Sequence, residues 1–260
     1  MKKFTYLKYL IALIFAIGLF VFQHPIAKAE TMNGEVIYPT NLYKSPSSKS
    51  TKLTKLPKNK KVLLYFIHPN GWAKVKYGQK IGYIYSVNLN ILKKQKTSYT
   101  MNPKKVYKYH NTGVAIISYS SEYDYMWSNG KTSSPFLQYV NKNSFVWYQG
   151  KKPFQEDPKG YDQIHIIEGS LGLTMYSAHA EGLTLLEYPV INNKKYYFMG
   201  PTPVQMNILK KPFTVKAGSF KNVVRVNYGD IKMYLAPNVG IIKITKDGKA
   251  TRELISLTNQ

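Results

Sequence analysis

The chain has 260 residues, with 37 Lys+Arg against 13 Asp+Glu and a formal net charge of +24. Hydrophobic residues make up 44% and aromatics 14%, which excludes wholesale disorder and allows one large domain or two ordinary ones. There is no cysteine, which excludes a disulfide scaffold, thiolate metal sites, cysteine nucleophiles and a lipid-modified N-terminal Cys. The charge calls for an anionic partner, and nucleic acid, anionic lipid and anionic wall polymer all satisfy it at this stage.

Residues 1–29 read as a secretory signal. Lys2, Lys3 and Lys8 stand before an uncharged apolar run from Tyr9 to Phe22, and Ala27-Lys28-Ala29 offers small residues at the two positions a signal peptidase reads. The run is 14 residues long, short of the roughly 20 needed to cross a bilayer core, so cleavage is expected over retention as an anchor. No later segment is long and apolar enough to span. Loss of Lys2, Lys3, Lys8 and Lys28 with the signal leaves a mature charge of +20. The expected location is secreted or wall-associated, and export turns the charge away from nucleic acid and toward wall phosphates and headgroups.

Two pieces of unequal charge density follow. Residues 31–98 hold 13 Lys and one acid, Glu35, whereas residues 99–260 hold 20 Lys+Arg and 11 acids. The expected organisation is a small module at 30–92, a basic linker at 93–98 and a larger domain at 99–260. In the first piece short β-type runs alternate with turn residues. Val36-Ile37-Tyr38 ends at Pro39, Asn41-Leu42-Tyr43 leads into a polar loop, and Lys61 to Ile67 is an apolar run ended by His68-Pro69-Asn70-Gly71. Trp72 to Tyr77 alternates, with Trp72, Lys74 and Lys76 on one face. Ile81 to Tyr85 returns after Gly78-Gln79-Lys80. Five short strands predict a small barrel.

Asn70-Gly71-Trp72-Ala73-Lys74-Val75-Lys76-Tyr77-Gly78, followed by Gly82-Tyr83-Ile84, resembles the signature hairpin of bacterial SH3 domains. Asn41-Leu42-Tyr43-Lys44-Ser45-Pro46-Ser47 is similar to that family's first loop, with Tyr43-Lys44 replacing the usual middle and no Gly. The resemblance spans about 34–92 and implies cell-wall targeting, since many such modules bind peptidoglycan, often its stems or cross-bridges, while others only scaffold a neighbouring domain. It places Tyr43, Trp72, Tyr83 and Tyr85, with Lys44 and Lys74, at the ligand groove.

Residues 99–260 show β-type runs without helical periodicity: 113–119, 136–140, 144–148, 163–167, 173–176, 195–198, 223–226, 232–235, 240–244 and 252–257. Short turns between them predict a large antiparallel sheet. Leu185 to Val190, Thr214 to Val224 and Met233 to Lys243, with its Ala236-Pro237-Asn238-Val239-Gly240, resemble exported Firmicute lipoprotein-like domains of the lipoprotein-carrier half-barrel type. That resemblance implies a curved sheet with an apolar concave face and carries no catalytic residue. The fold class expected for the whole is thus all-β, an SH3-like barrel followed by a larger curved antiparallel sheet. Pro237 cannot sit in a paired central strand, so it must lie between two.

Chemical sites are sparse in the sequence. His165 and His179, next to Glu181, are the one histidine pair worth considering for a metal; the histidines lack zinc spacing, and no metal or cofactor is expected. Ser118 and Ser170 have no activating motif, and Glu156-Asp157 is adjacent in sequence rather than poised across a bond. Tyr119, Tyr123, Tyr125 and Trp127 could offer a saccharide platform, though aromatics also floor antiparallel sheets. The reading is an exported, non-catalytic, wall-associated binding protein. Its SH3 module docks on peptidoglycan or an anionic wall polymer, and its C-terminal domain offers a surface for a protein partner or an apolar ligand. Two alternatives stand beside it: an SH3-targeted wall hydrolase, and a carrier or sensor of an apolar ligand.

Overall fold

Side-chain alternation and where it breaks set the architecture of the first module. The computed structural model describes residues 31–112, 123–128, 144–150, 152, 163–177, 180–199 and 201–260. The expected signal at 1–29 and the runs at 113–119 and 136–140 lie outside these residues. Seven strands form the first sheet: β1 (Met32–Val36), β2 (Thr40–Tyr43), β3 (Lys52–Leu56), β4 (Lys61–Ile67), β5 (Trp72–Tyr77), β6 (Lys80–Tyr85) and β7 (Leu89–Ile91), in the order β3-β2-β6-β5-β4-β1-β7. The sequence pointed to five. The run placed at Val36–Tyr38 in fact ends the strand at Val36, where the chain bends, and Leu89–Ile91 closes the far side by pairing with β1.

Val36, Leu42, Leu56, Val62, Leu64, Ile67, Ala73, Val75, Ile84, Leu89 and Ile91 turn inward to form the core of this module. Strict alternation in β4 would put Phe66 beside Val62 and Leu64. A register break between Leu64 and Phe66 against β5 inserts one extra residue. Ile67 then points inward and Phe66 outward, because adding one residue swaps the faces of everything beyond it.

The larger sheet has twelve strands among the described residues. They are β8 (Lys105–Asn111), β9 (Tyr123–Ser128), β10 (Ser144–Gly150), β11 (Gln163–Gly169), β12 (Gly172–Ser177), β13 (Ala180–Glu187), β14 (Lys195–Met199), β15 (Thr202–Ile208), β18 (Val224–Tyr228), β19 (Ile231–Ala236), β20 (Gly240–Lys246) and β21 (Lys249–Asn259). Between β15 and β18, β16 (Phe213–Val215) and β17 (Gly218–Phe220) form a separate hairpin. All pairings within the large sheet are antiparallel, and its order is β13-β12-β11-β10-β9-β8-β21-β20-β19-β18-β15-β14.

The two edge strands, β13 and β14, are consecutive in sequence and joined only by residues 188–194. A flat sheet of that width would separate its edges by about 50 Å, whereas this connection extends at most about 28 Å. The sheet therefore curls until its edges approach. Tyr196 Oη donates to the Leu185 carbonyl at 2.7 Å, and Lys194 Nζ meets Glu187 at 2.5 Å. Register breaks in the β12–β13, β14–β15, β19–β20, β20–β21 and β21–β8 pairings supply the bending. Inward side chains from around the sheet form one buried cluster that includes Tyr107, Met126, Ile166, Leu173, Leu185, Met206, Val226, Leu235, Ile244 and Leu254.

The basic stretch 93–98 carries no strand, and the large domain grips both its flanks. Gln95 Oε1 accepts from Val190 N–H at 2.9 Å, Ser98 Oγ donates to Glu168 at 2.7 Å, and Tyr99 N–H donates to the same carboxylate at 3.2 Å. Pro237 lies between β19 and β20, as its chemistry requires, and the Asn238 N–H donates to the Ser98 carbonyl at 2.9 Å. The first module also rests directly on the start of β14. Asn193 Nδ2 donates to the Ile67 carbonyl at 3.0 Å, Gln205 Nε2 to the Pro69 carbonyl at 2.7 Å, and Lys195 N–H to Ser86 Oγ at 3.0 Å. Ile191 packs on the first module's core, and residues 31–260 make one compact unit.

Candidate functional site

The outward face of β2, β6, β5 and β4 carries the aromatic residues singled out from the sequence. Register sets Trp72 opposite Tyr85, Lys74 opposite Tyr83, and Tyr83 opposite Tyr43 on its other side. Tyr43 meets Trp72 edge-on, with ring centroids 5.4 Å apart at 89°, and Trp72 meets Tyr85 at 5.7 Å and 54°. These three rings form a row, and all are half-buried. Lys74 is half-buried beside them, and its ammonium lies 5.8 Å from the Phe66 ring. Lys44 is exposed at the start of the polar loop, one residue beyond β2. Five of the six residues expected at the groove thus share one face, with Lys44 on its margin.

Phe66 and His68 extend this face. Their rings lie 5.2 Å apart, and His68 lies 5.8 Å from Tyr83. Sequence reasoning missed both, because the bulge in β4 was not legible in a continuous apolar run. The turn beneath them is well fastened: His68 N–H donates to the Trp72 carbonyl at 2.8 Å, Gly71 N–H to the His68 carbonyl at 2.8 Å, and Trp72 N–H to Asn70 Oδ1 at 3.3 Å. Asn70 Nδ2 donates in turn to Pro46 in the polar loop at 3.4 Å. The most distant contribution is Lys195, from the other sheet, whose ammonium stands 5.2 Å from the centre of the Tyr85 ring.

Over the first module the charge is almost all of one sign. Lys44, Lys49, Lys52, Lys55, Lys58, Lys60, Lys61, Lys76 and Lys80 are exposed, and Glu35 is the single acid among residues 31–98. Long-range attraction to a polyanion follows, and salt screens it over about 10 Å at 0.1 M.

The candidate sites of the larger domain fare differently. Trp127 is buried, at 2% exposure, and Tyr125 is half-buried under the Lys108 ammonium at 5.4 Å, so these two do not form an open saccharide platform. Tyr123 lies with them on a strand, β9, where a turn-rich stretch was expected, and Tyr119 lies outside the described residues. His165 is buried in β11, and desolvation lowers its pKa. His179, Ser118, Glu156 and Asp157 lie outside the described residues. Among the described residues no three His, Asp or Glu are grouped to hold a metal. Ser170 lies in the β11–β12 turn and lines a cleft of about 560 Å³ with Lys94, Lys96, Ser98, Glu168 and Tyr188. The Glu168 carboxylate on its wall is already engaged by Ser98, the Tyr99 N–H and the Tyr188 hydroxyl.

Comparison of the chain with curated proteins and with solved structures gives no match. Residues 39–90 match the bacterial SH3 domain family. The matched segment runs from β2 into β7 and contains every ring of the outward face, so residues 39–90 of this chain are a bacterial SH3 domain.

Proposed function

We propose that this protein is exported and non-catalytic, and that it attaches to the cell wall through the outward face of its SH3 domain. Bacterial SH3 domains often bind the wall, and the observation that carries the reading is the row Tyr43–Trp72–Tyr85 inside a field of lysines. Aromatic contacts to peptidoglycan supply retention, and the lysines speed encounter with wall phosphates. The larger domain serves as an interaction surface. Its inward side chains pack on one another in one cluster, which favours that role over an open apolar cavity.

The test is sedimentation of residues 31–260 with purified sacculi. The protein pellets with them at low salt and is progressively released as salt rises. A protein that stays in the supernatant at low salt sinks the proposal. A zymogram run in parallel shows no clearing; clearing would move the protein to the hydrolase class.

A further inference from the structure

The SH3 face does not end at the SH3 domain. Gly71 has φ +85, and a Cβ there would stand 2.7–2.8 Å from the Cγ, Cδ and Cε of Lys195. The missing side chain is thus the space through which the Lys195 stem crosses from β14 to the SH3 face. Its backbone is held in place, with N–H donating to Ser86 Oγ at 3.0 Å. Its ammonium ends 5.2 Å from the Tyr85 ring centre. The carboxylate nearest in sequence, Glu187, is already taken by Lys194. The ring row therefore continues, in steps of 5.4, 5.7 and 5.2 Å, from Tyr43 through Trp72 and Tyr85 to a cation supplied by the other domain.

This arrangement selects a ligand. The rings stand at 89° and 54° to one another, so they share no plane on which a row of pyranose rings could stack. They offer instead an uneven row of half-buried rings, long enough for about four extended residues at roughly 3.3 Å each. A cation over a ring at one end, partly shielded from water, favours a single anionic group at that end. We propose that the site is a composite of both domains, and that Lys195 recognises the terminal carboxylate of a short extended peptide lying along the Tyr43–Trp72–Tyr85 row. This rests on the wall-binding reading of the SH3 face and adds to it the ligand's chemistry, its direction and a residue from outside the domain.

The test titrates residues 31–260, by calorimetry, with an N-acetylated stem tetrapeptide bearing a free terminal carboxylate, and with its carboxamide. The free acid binds about tenfold more tightly than the amide, the size of one charge-assisted hydrogen bond. Lys195→Met keeps the stem over Gly71 and makes the two affinities equal, whereas Lys195→Arg retains the preference. Equal affinities in the unaltered protein, or a preference that survives Lys195→Met, overturn the composite site. So does failure of both peptides to bind while the protein still sediments with sacculi, or displacement of the acid by a glycerol-phosphate oligomer with the same dependence on Lys195. Loss of sacculus binding itself brings down the underlying wall reading, and the two failures are told apart by that one measurement.

Discussion

Gly240 shows how much one hydrogen atom can matter. Its φ is +83, and a Cβ would meet Met101 Cγ at 2.4 Å and Met101 N at 3.1 Å. Gly240→Ala therefore combines left-handed strain with an overlap against the chain that enters the large domain. A loss of about 2–3 kcal/mol is expected, read as a lowered Tm; an unchanged Tm would mean that Met101 yields freely. The aromatic face invites the opposite experiment. Tyr43→Leu and Tyr85→Leu remove rings from a half-buried outward face while leaving the SH3 core untouched, so each should weaken sacculus binding by roughly five- to tenfold with little change in Tm. The two-residue period in Trp72–Tyr77 made it legible that Trp72 and Lys74 share a face apart from Ala73 and Val75, whereas Tyr43, Tyr83 and Tyr85 were placed at the groove by the resemblance to bacterial SH3 domains. Phe66 and His68 were not legible, since a bulge reverses the faces without leaving a mark in composition.

At the level of strands, the ion pairs that join neighbouring elements are costly to break by halves. Lys194 is 1% exposed, and desolvation lowers its pKa while Glu187 acts to raise it. Breaking such a pair strands a buried charge, whereas replacing both partners with apolar groups does not. Glu187→Leu alone should cost about 3–5 kcal/mol, and adding Lys194→Met should recover most of it, as a double-mutant cycle in urea would show. Glu253, on β21, behaves differently. Burial pushes its carboxyl up, but the Lys243 side chain, the Lys216 N–H and the two lysine charges together outweigh this and hold it below its ordinary value. A depressed carboxyl stabilises the fold above the unfolded pKa, near 4.5, and that contribution is lost as pH falls through the lower folded value. The Tm advantage of the native protein over Glu253→Gln should therefore be full at neutral pH and fade below about pH 4.5; an advantage independent of pH would contradict the linkage. In β8, alternation is clean only from Tyr107 to Asn111, and Val106 and Tyr107 are buried side by side, so the two-residue period that marks a strand is blurred in the sequence. In β15, Pro203 stands at the second position, next to edge strand β14, where its missing N–H is tolerated.

Over the whole molecule, the all-β class and the SH3 domain were readable from local signals: turn residues, short apolar runs and one hairpin motif. The curl of the large sheet was not, because it follows from which strands become edges, and strand order is a long-range property. The seat of the SH3 domain on β14 was equally hidden. Its contacts join residues more than 100 positions apart, as in Lys195 with Ser86 and Gln205 with Pro69, and neither partner is unusual in its own neighbourhood. The same seat satisfies an N–H on an edge strand that would otherwise offer itself for pairing with another chain.

The two domains are thus joined by non-covalent contacts as well as by the covalent connection. Lys94 and Lys96 are exposed in that connection, whereas Asn193, Lys195, Gln205 and Ile191 hold the SH3 domain from the other side. A protein nicked at an engineered protease site between Lys94 and Lys96 should run as two fragments on a denaturing gel yet elute as one particle in native size-exclusion chromatography. Two separate peaks would show that the tether alone had joined them. A single peak means that a wall-bound SH3 domain would keep its partner domain even after a protease had severed the chain.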